Sequence, residues 1–452
     1  MAPCVGSLTG ENMRAGFAQV DYEPPVGLPM MGHFRDDFAS AGTHDPLYCR
    51  AVVFADATGK KVALASVDIC ELLSEHTGMM QRFIADQCDI PGENIIIAAT
   101  HTHGGPATFP LYTCPAAEPK QIEGCLKRAA AAVVLANRQL EETQLSVGYA
   151  GEDRISFCRR LRCKDGRTHM NWETLPDDFV LEPLGQIDPQ VLALCLERDK
   201  RPVAAVVNFA LHPAILDYDN QLYTADFPGY LAEALDKTVA DDFRTMFLNG
   251  CCGDINHIDY RDRTCPRRGY HMAQRVGYML GAAARQALSH RTPIVGDTLA
   301  VSRERVTLNR LKITEEMYRI AREAMAGHIP PPSSGVDGLT PDQTAPVYIK
   351  MYEQQHLDGH VDVTVFRIGD LAIVGLPGEI FCGLGTEIKK NSPARHTLVV
   401  ELANGAIGYV PTREAYEQGG YEPSPGAAFY GPGSGEALAA SALKQLNRLF
   451  AG

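Results

Sequence analysis

The chain has 452 residues, and 42 basic against 55 acidic side chains leave a formal charge of −13 with a pI near 5.5. Apolar residues make up 45% and charged residues 21%, an ordinary globular balance with enough apolar material for a large core. The acidic surplus argues against a nucleic-acid binder, whose affinity rests on basic surface. No run approaches the roughly 18 apolar residues of a membrane span. The opening MAPCVGSLTGENMRAGF lacks a basic n-region and an apolar h-region, so the thirteen scattered cysteines, with no CxxC pair, read as reduced thiols of a cytoplasmic protein.

In chain order, AVVFAD from Ala51, a turn at Ala57-Thr58-Gly59-Lys60 and VALASVDI predict two strands and a hairpin. Ser74 to about Gln87 follows as a helix with Met79, Met80, Phe83 and Ile84 apolar. Pro91-Gly92 stops it, and Asn94–Thr100 reads as a buried strand. This strand–helix–strand order suggests a parallel crossover. Glu118 to Leu140 predicts a long Ala-rich helix. Val191–Leu196 and Val203–Ala210 flank a hairpin tip at Arg198-Asp199-Lys200-Arg201. Asp226 then caps a helix with Pro228 in its first turn. Thr245–Leu248 predicts a strand, Tyr270–Leu288 a helix, and Val361–Ile368 with Leu371–Leu376 another hairpin. Gly327–Ala345, with three successive prolines, has loop or flap composition. No internal repeat is evident. The reading is α/β: a single large domain over residues 1–452, with mixed β-sheets, flanking helices and an active site at strand C-terminal ends.

Ligand-type residues gather just after apolar strands. His101 and His103 in Thr100-His101-Thr102-His103-Gly104-Gly105 project to the same side of an extended backbone, so both can address one centre. Two histidines bonding backbone in a tight turn explain that motif equally well. Val206-Val207-Asn208-Phe209-Ala210-Leu211-His212 ends a strand on a third histidine. Leu376-Pro377-Gly378-Glu379 ends another on a carboxylate, a residue type also common at helix starts. Tyr409 follows in Gly408-Tyr409-Val410, where a packed tyrosine is the plain alternative. Histidines and a carboxylate at strand ends match the three protein ligands of a catalytic zinc with one position left open.

These segments, taken in order, resemble the neutral/alkaline non-lysosomal ceramidases, in their N-terminal zinc hydrolase domain. The likeness runs from Ala15-Gly16-Phe17, Met30-Met31-Gly32 and His44-Asp45-Pro46-Leu47-Tyr48 through the His101 and His212 motifs and Gly253-Asp254. It closes with Pro377-Gly378-Glu379, Gly408-Tyr409-Val410, Tyr416 and Phe429-Tyr430-Gly431-Pro432. The resemblance implies one zinc per chain on His101, His212, Glu379 and Tyr409, with His103 beside it as acid/base or substrate-orienting group. It also implies an arginine polarising the scissile carbonyl. Arg159 matches, with Arg160 as the second candidate, because the family's Asn-Arg reads Cys158-Arg159 here.

The chain departs from the family at Gly253-Asp254-Ile255-Asn256-His257. There the family carries Gly-Asp-Val-Ser-Pro-Asn with a functionally important serine, and Asn256 takes the serine's place. An amide holds a substrate but is no hydroxyl nucleophile, so metal-activated water is the expected attacking group. The family's C-terminal immunoglobulin-like domain has no counterpart in the chain, and a small soluble amide, lactone or ester is expected in place of membrane ceramide. Asp226 and Asp254 are candidates for orienting the ligand histidines. A helix cap explains Asp226 as well, and a turn explains Asp254. His33, His44 and His257 carry no assignment.

Two other readings use the same residues. A metal-dependent lyase or isomerase of a sugar acid or polyol would share the ion and bases, and a non-catalytic metal-binding protein would close the coordination shell. A serine hydrolase is disfavoured for want of GxSxG, and a dinucleotide enzyme for want of GxGxxG after a strand. The expected partner is a small molecule, and self-association into a homo-oligomer is left open.

Overall fold

The run Ile95-Ile96-Ile97 offers no polar face to water. In the computed structural model, which describes residues 13–328 and 339–451, it forms the fully buried strand Ile95–Ala99. It lies parallel to Lys61–Val67, and helix Ser74–Gln87 makes the crossover. Lys61–Val67 pairs antiparallel with Tyr48–Ala55, and that strand pairs antiparallel with Arg14–Asp21. Helix Pro119–Arg138 then returns over the sheet.

The same connectivity occurs twice more. Gln144–Gly151, Gln190–Arg198 and Arg201–Phe209 are successive antiparallel neighbours. Helix Phe227–Asp236 leads to Arg244–Asn249, parallel to the third strand, and helix Tyr270–Ser289 follows. Leu299–Leu308, Gly359–Ile368 and Leu371–Gly375 repeat the pattern, with helix Cys382–Asn391, parallel strand His396–Val400 and helix Ser434–Phe450. No sequence repeat signals this, because a repeated topology needs only the order of apolar and polar segments.

One face of each sheet packs on its own two helices, in three separate apolar clusters. The opposite faces meet in a single core, where Leu64 and Ile96 join Leu194 and Val206 from the second sheet and Phe366 and Ile373 from the third. Buried polar ties knit the sheets near the ends of the parallel strands. Ser66 Oγ donates to the Phe247 carbonyl at 2.6 Å, and Asn208 Nδ2 to the Val399 carbonyl at 3.0 Å. The Ile97 N–H donates to Asn404 Oδ1 at 2.9 Å, which closes the ring from third sheet to first. Each tie satisfies groups that would otherwise be orphaned in an apolar interior. All three parallel pairs thus send their C-terminal loops to one end of the molecule.

The expected loop over Gly327–Ala345 needs correction. Residues 329–338 lie outside the described residues, but Pro341–Gln354 is a helix. Pro341 occupies its first turn, where a missing N–H costs nothing, and Gln343 Oε1 accepts from the Thr340 N–H at 2.9 Å in a capping box. Ala345 packs with Ala321 and Ala324 of helix Glu315–Met325. No helix among the described residues is long and apolar enough to cross a membrane.

Candidate metal centre

Each sheet contributes to one cluster at that end. His101 lies two residues beyond Ile95–Ala99, held at φ 71°, a left-handed conformation that costs a non-glycine residue energy. His212 follows Arg201–Phe209, and Glu379 follows Leu371–Gly375. The two Nε2 atoms are 3.0 Å apart, Glu379 Oε2 is 3.2 Å from His101 Nε2, and it is 3.9 Å from His212 Nε2. A tetrahedral zinc with Zn–N bonds of 2.0–2.1 Å separates its ligand atoms by about 3.3 Å. The three donors bracket that figure, and all are buried.

Their protonation suits a cation. His101 Nδ1 sits 2.9 Å from the Cys70 carbonyl, and the His212 ring bonds the Cys252 backbone. Each ring is thereby held on its backbone side, which turns both Nε2 atoms toward the same point. Glu379 Oε2 is buried without a hydrogen-bond partner. Two Nε2 atoms 3.0 Å apart beside an orphaned carboxylate oxygen call for positive charge between them, either a proton on His101 or a metal ion in its place. Burial opposes a charge on His101, but the Glu379 carboxylate beside it lifts its pKa well above the imidazole range. Burial pushes the Glu379 carboxyl up, yet His101 and Arg159 more than offset it and leave it low.

Tyr409 reaches Glu379 through a parallel pairing of Glu379–Ile380 with Tyr409–Val410, in which the two residues are direct partners. Burial raises the pKa of its hydroxyl, and it stands between two charges, Glu379 raising that pKa further and Arg159 lowering it. His103 Nε2 is 3.5 Å from His101 Nε2, while its Nδ1 is buried with no partner. Burial, reinforced by the neighbouring His33, His101 and His212, drives its pKa well below the ordinary value, so His103 is neutral near pH 7. Cys70 Sγ lies 3.7 Å from His101 Nδ1, behind the ring, and burial keeps that thiol protonated.

A short antiparallel pairing of Phe157–Cys158 with Ile255–Asn256 brings Arg159 in. Arg159 Nε donates to Glu422 Oε1 at 2.8 Å and NH2 to the Gly253 carbonyl at 2.7 Å, with the guanidinium 5.1 Å from the Tyr409 ring centroid. Arg160 turns away, giving NH1 to Glu422 Oε2 at 2.7 Å and NH2 to the Gly419 carbonyl at 2.7 Å. Of the two arginine candidates, Arg159 is the one beside the cluster.

The acidic candidates hold backbone instead of imidazole. Asp226 Oδ2 accepts from Ile215 and Leu216 at 2.9 and 3.1 Å, and its Oδ1 caps the helix at Phe227. It thereby fixes the loop after His212. Burial raises its pKa to about 6, as it does for Asp254, whose Oδ1 accepts from the Cys382 N–H at 2.7 Å. Asn256 exchanges amide hydrogen bonds with Asn171, both at 2.7 Å. His44 stacks on Tyr270, His257 bonds the Arg267 carbonyl, and His33 packs edge-on against His103 with centroids 4.5 Å apart.

Sequence reasoning passed over four neighbours. Glu71 is one, its pKa raised to about 8 by burial and by the neighbouring Glu379 carboxylate. Glu401, also about 8 through burial, accepts from the Cys252 and Ile380 N–H groups and so ties the His212 side to the Glu379 side. Glu422 and Tyr421 flank Arg159. The signal available was their place near the ends of apolar strands, Glu401 directly after His396–Val400 and Glu71 four residues past Lys61–Val67.

Gly32 leans on the His103 ring at φ 113°, and a Cβ there would stand 2.3 Å from His103 Cγ. No side chain fits without displacing the imidazole. Gly32→Ala is therefore expected to retain bound metal but lose most activity, read by elemental analysis beside steady-state rates. Unchanged rates would mean the ring position is immaterial.

Residues 14–297 match the family described as neutral/alkaline non-lysosomal ceramidase, N-terminal. The neutral ceramidase of Mycobacterium tuberculosis is 23% identical over 87% of this chain and 70% of its own length. The neutral ceramidase of Pseudomonas aeruginosa is 23% identical over 93% and 69%, and neutral ceramidase B of Dictyostelium discoideum 21% over 69% and 46%. The chain thus spans between about half and 70% of these relatives. The crystal structure of the Pseudomonas aeruginosa neutral ceramidase superposes with a TM-score of 0.74 at 19% identity, over 97% of this chain and 75% of the other, which establishes a common fold. With more than half of its residues matched and the His/Glu cluster buried at its strand ends, this chain belongs to the neutral/alkaline non-lysosomal ceramidase family.

Proposed function

We propose that the protein is a zinc-dependent hydrolase that cleaves the carbonyl–nitrogen bond of a small amide with water, an ester or lactone being the nearest variant. The observation that carries this is the set of His101 Nε2, His212 Nε2 and Glu379 Oε2, mutually within 3.9 Å, with Tyr409 beside Glu379 in a short parallel pairing. Zinc held there supplies Lewis acidity, which polarises a carbonyl and acidifies water toward neutral pH.

The chain's own groups do the rest. His103 Nε2, neutral and bordering the cluster, accepts the proton of the attacking water and passes it to the leaving nitrogen. The Arg159 guanidinium, fixed by Glu422 and Gly253 and set against the Tyr409 ring, adds positive charge where the carbonyl oxygen becomes an anion. Asn256 lines the cavity with its amide already committed to Asn171, which supports water as nucleophile.

A cavity of about 570 Å³ opens on the cluster, within the span of roughly 300–1,000 Å³ usual for ligand sites. That opening favours catalysis over a closed structural site. Dialysis against a chelator should abolish hydrolysis, and one equivalent of zinc should restore it. His103→Ala should keep its zinc and lose about 100-fold or more in kcat with KM little changed. A metal-free sample that stays fully active would end this reading.

A further inference from the structure

Two cavities of different character meet at the cluster. The one of about 570 Å³ is walled by apolar and aromatic side chains such as Phe109, Tyr112, Val347, Met351 and Phe429. The other, about 520 Å³, sets three arginines, Arg159, Arg267 and Arg268, against one carboxylate, Asp217, beside Trp172 and Asn256. Gly32, His103, Tyr409 and Tyr421 belong to both. A molecule with its carbonyl at the cluster therefore lays an apolar piece on the Phe109 and Phe429 side and an anionic piece on the arginine side.

The charge of this second cavity selects that second piece. Arg159 shares the Glu422 carboxylate with Arg160, and Arg268 pairs with Asp217 at 3.0 Å. Arg267 differs from both. It is half-buried, its carbonyl holds His257 Nε2 at 2.6 Å, and among the described residues its guanidinium has no carboxylate partner. A guanidinium left without a counter-charge at the wall of a ligand cavity matches the planar fork of a carboxylate.

We propose that the substrate class is an N-acylated amino acid, with the acyl chain in the apolar cavity and the amino-acid carboxylate on Arg267. The inference rests on the hydrolase reading above. The amide C–N bond breaks, water gives its hydroxyl to the acyl carbon and its proton to the nitrogen, and a fatty acid and a free amino acid leave. Lys350 and Arg310 also stand at the apolar cavity, Lys350 exposed and Arg310 over the Tyr430 ring. An anion at the far end of the acyl chain is thus the competing placement.

The test uses the full zinc-loaded chain with N-decanoyl-serine, its neutral match N-decanoyl-serinol, an acyl chain ending in carboxylate, and p-nitrophenyl decanoate. N-decanoyl-serine should exceed N-decanoyl-serinol in kcat/KM by about tenfold or more, the worth of a charge-assisted hydrogen bond. Arg267→Gln should reduce that ratio to near one. In calorimetry the non-cleavable N-decylsulfonyl-serine should bind more tightly than its serinol counterpart. The proposal falls, with the hydrolase reading intact, if the decanoate ester is cleaved but serinol or the chain-end carboxylate is preferred. It also falls if Arg267→Gln keeps the preference. If neither the ester nor any amide is cleaved, the hydrolase reading itself fails and takes the proposal with it.

Discussion

His101→Ala and His212→Ala should each drop bound zinc from about one per chain to near zero and cut kcat/KM by far more than the roughly 10–100-fold that loss of an outer metal partner costs. Either change removes one of two Nε2 donors set 3.0 Å apart and leaves Glu379 with a single imidazole. Neither should weaken the metal-free fold much, because truncation also removes the cost of burying a charged imidazole. The measurements are elemental analysis, turnover on a common substrate and denaturant melts of the chelated proteins. A variant that kept both its zinc and its rate would dissolve the centre as drawn here.

Glu422→Gln should be the most destabilising single change near the site. Its carboxylate lies fully buried and accepts from Arg159 Nε at 2.8 Å and Arg160 NH1 at 2.7 Å. Neutralising it strands two buried guanidinium groups, and breaking a buried pair from one side costs about 3–5 kcal/mol. The loss should show as a lower denaturant midpoint with an unchanged slope. Activity should fall too, since Arg159 would no longer be braced beside Tyr409. A midpoint shift worth under about 1 kcal/mol would mean the arginines find other acceptors.

Local pattern made much of this legible in the sequence. Ser74–Gln87 was readable from its apolar spacing and the Pro91-Gly92 stop, Ile95–Ala99 from its unbroken apolar run, and Arg201–Phe209 from its flanking hairpin tip. Pro341–Gln354 was not, because its prolines suggest a breaker until Thr340 and Gln343 are seen to close a capping box. The threefold connectivity was hidden because strand pairing is a tertiary choice that alternation does not encode. His101, His212 and Glu379 were visible as strand-end residues, yet only the shared core shows that their three strands end together. Glu422, in a turn-rich segment with no periodicity, carried no signal, since its importance comes wholly from two arginines more than 260 positions away.

The three-sheet plan leaves the molecule with two unlike ends. In each sheet a tight turn joins the second strand to the third, at Ala57-Thr58-Gly59, Asp199-Lys200 and Gly369-Asp370, and the third strand then runs toward the cluster. At roughly 3.3 Å per residue, those strands set the turns about 15–30 Å from the chemistry. Sequence drift, engineered insertions and fused tags therefore have three natural ports at the blunt end. A one-residue slip at the other end would misplace a ligand that two more sheets depend on.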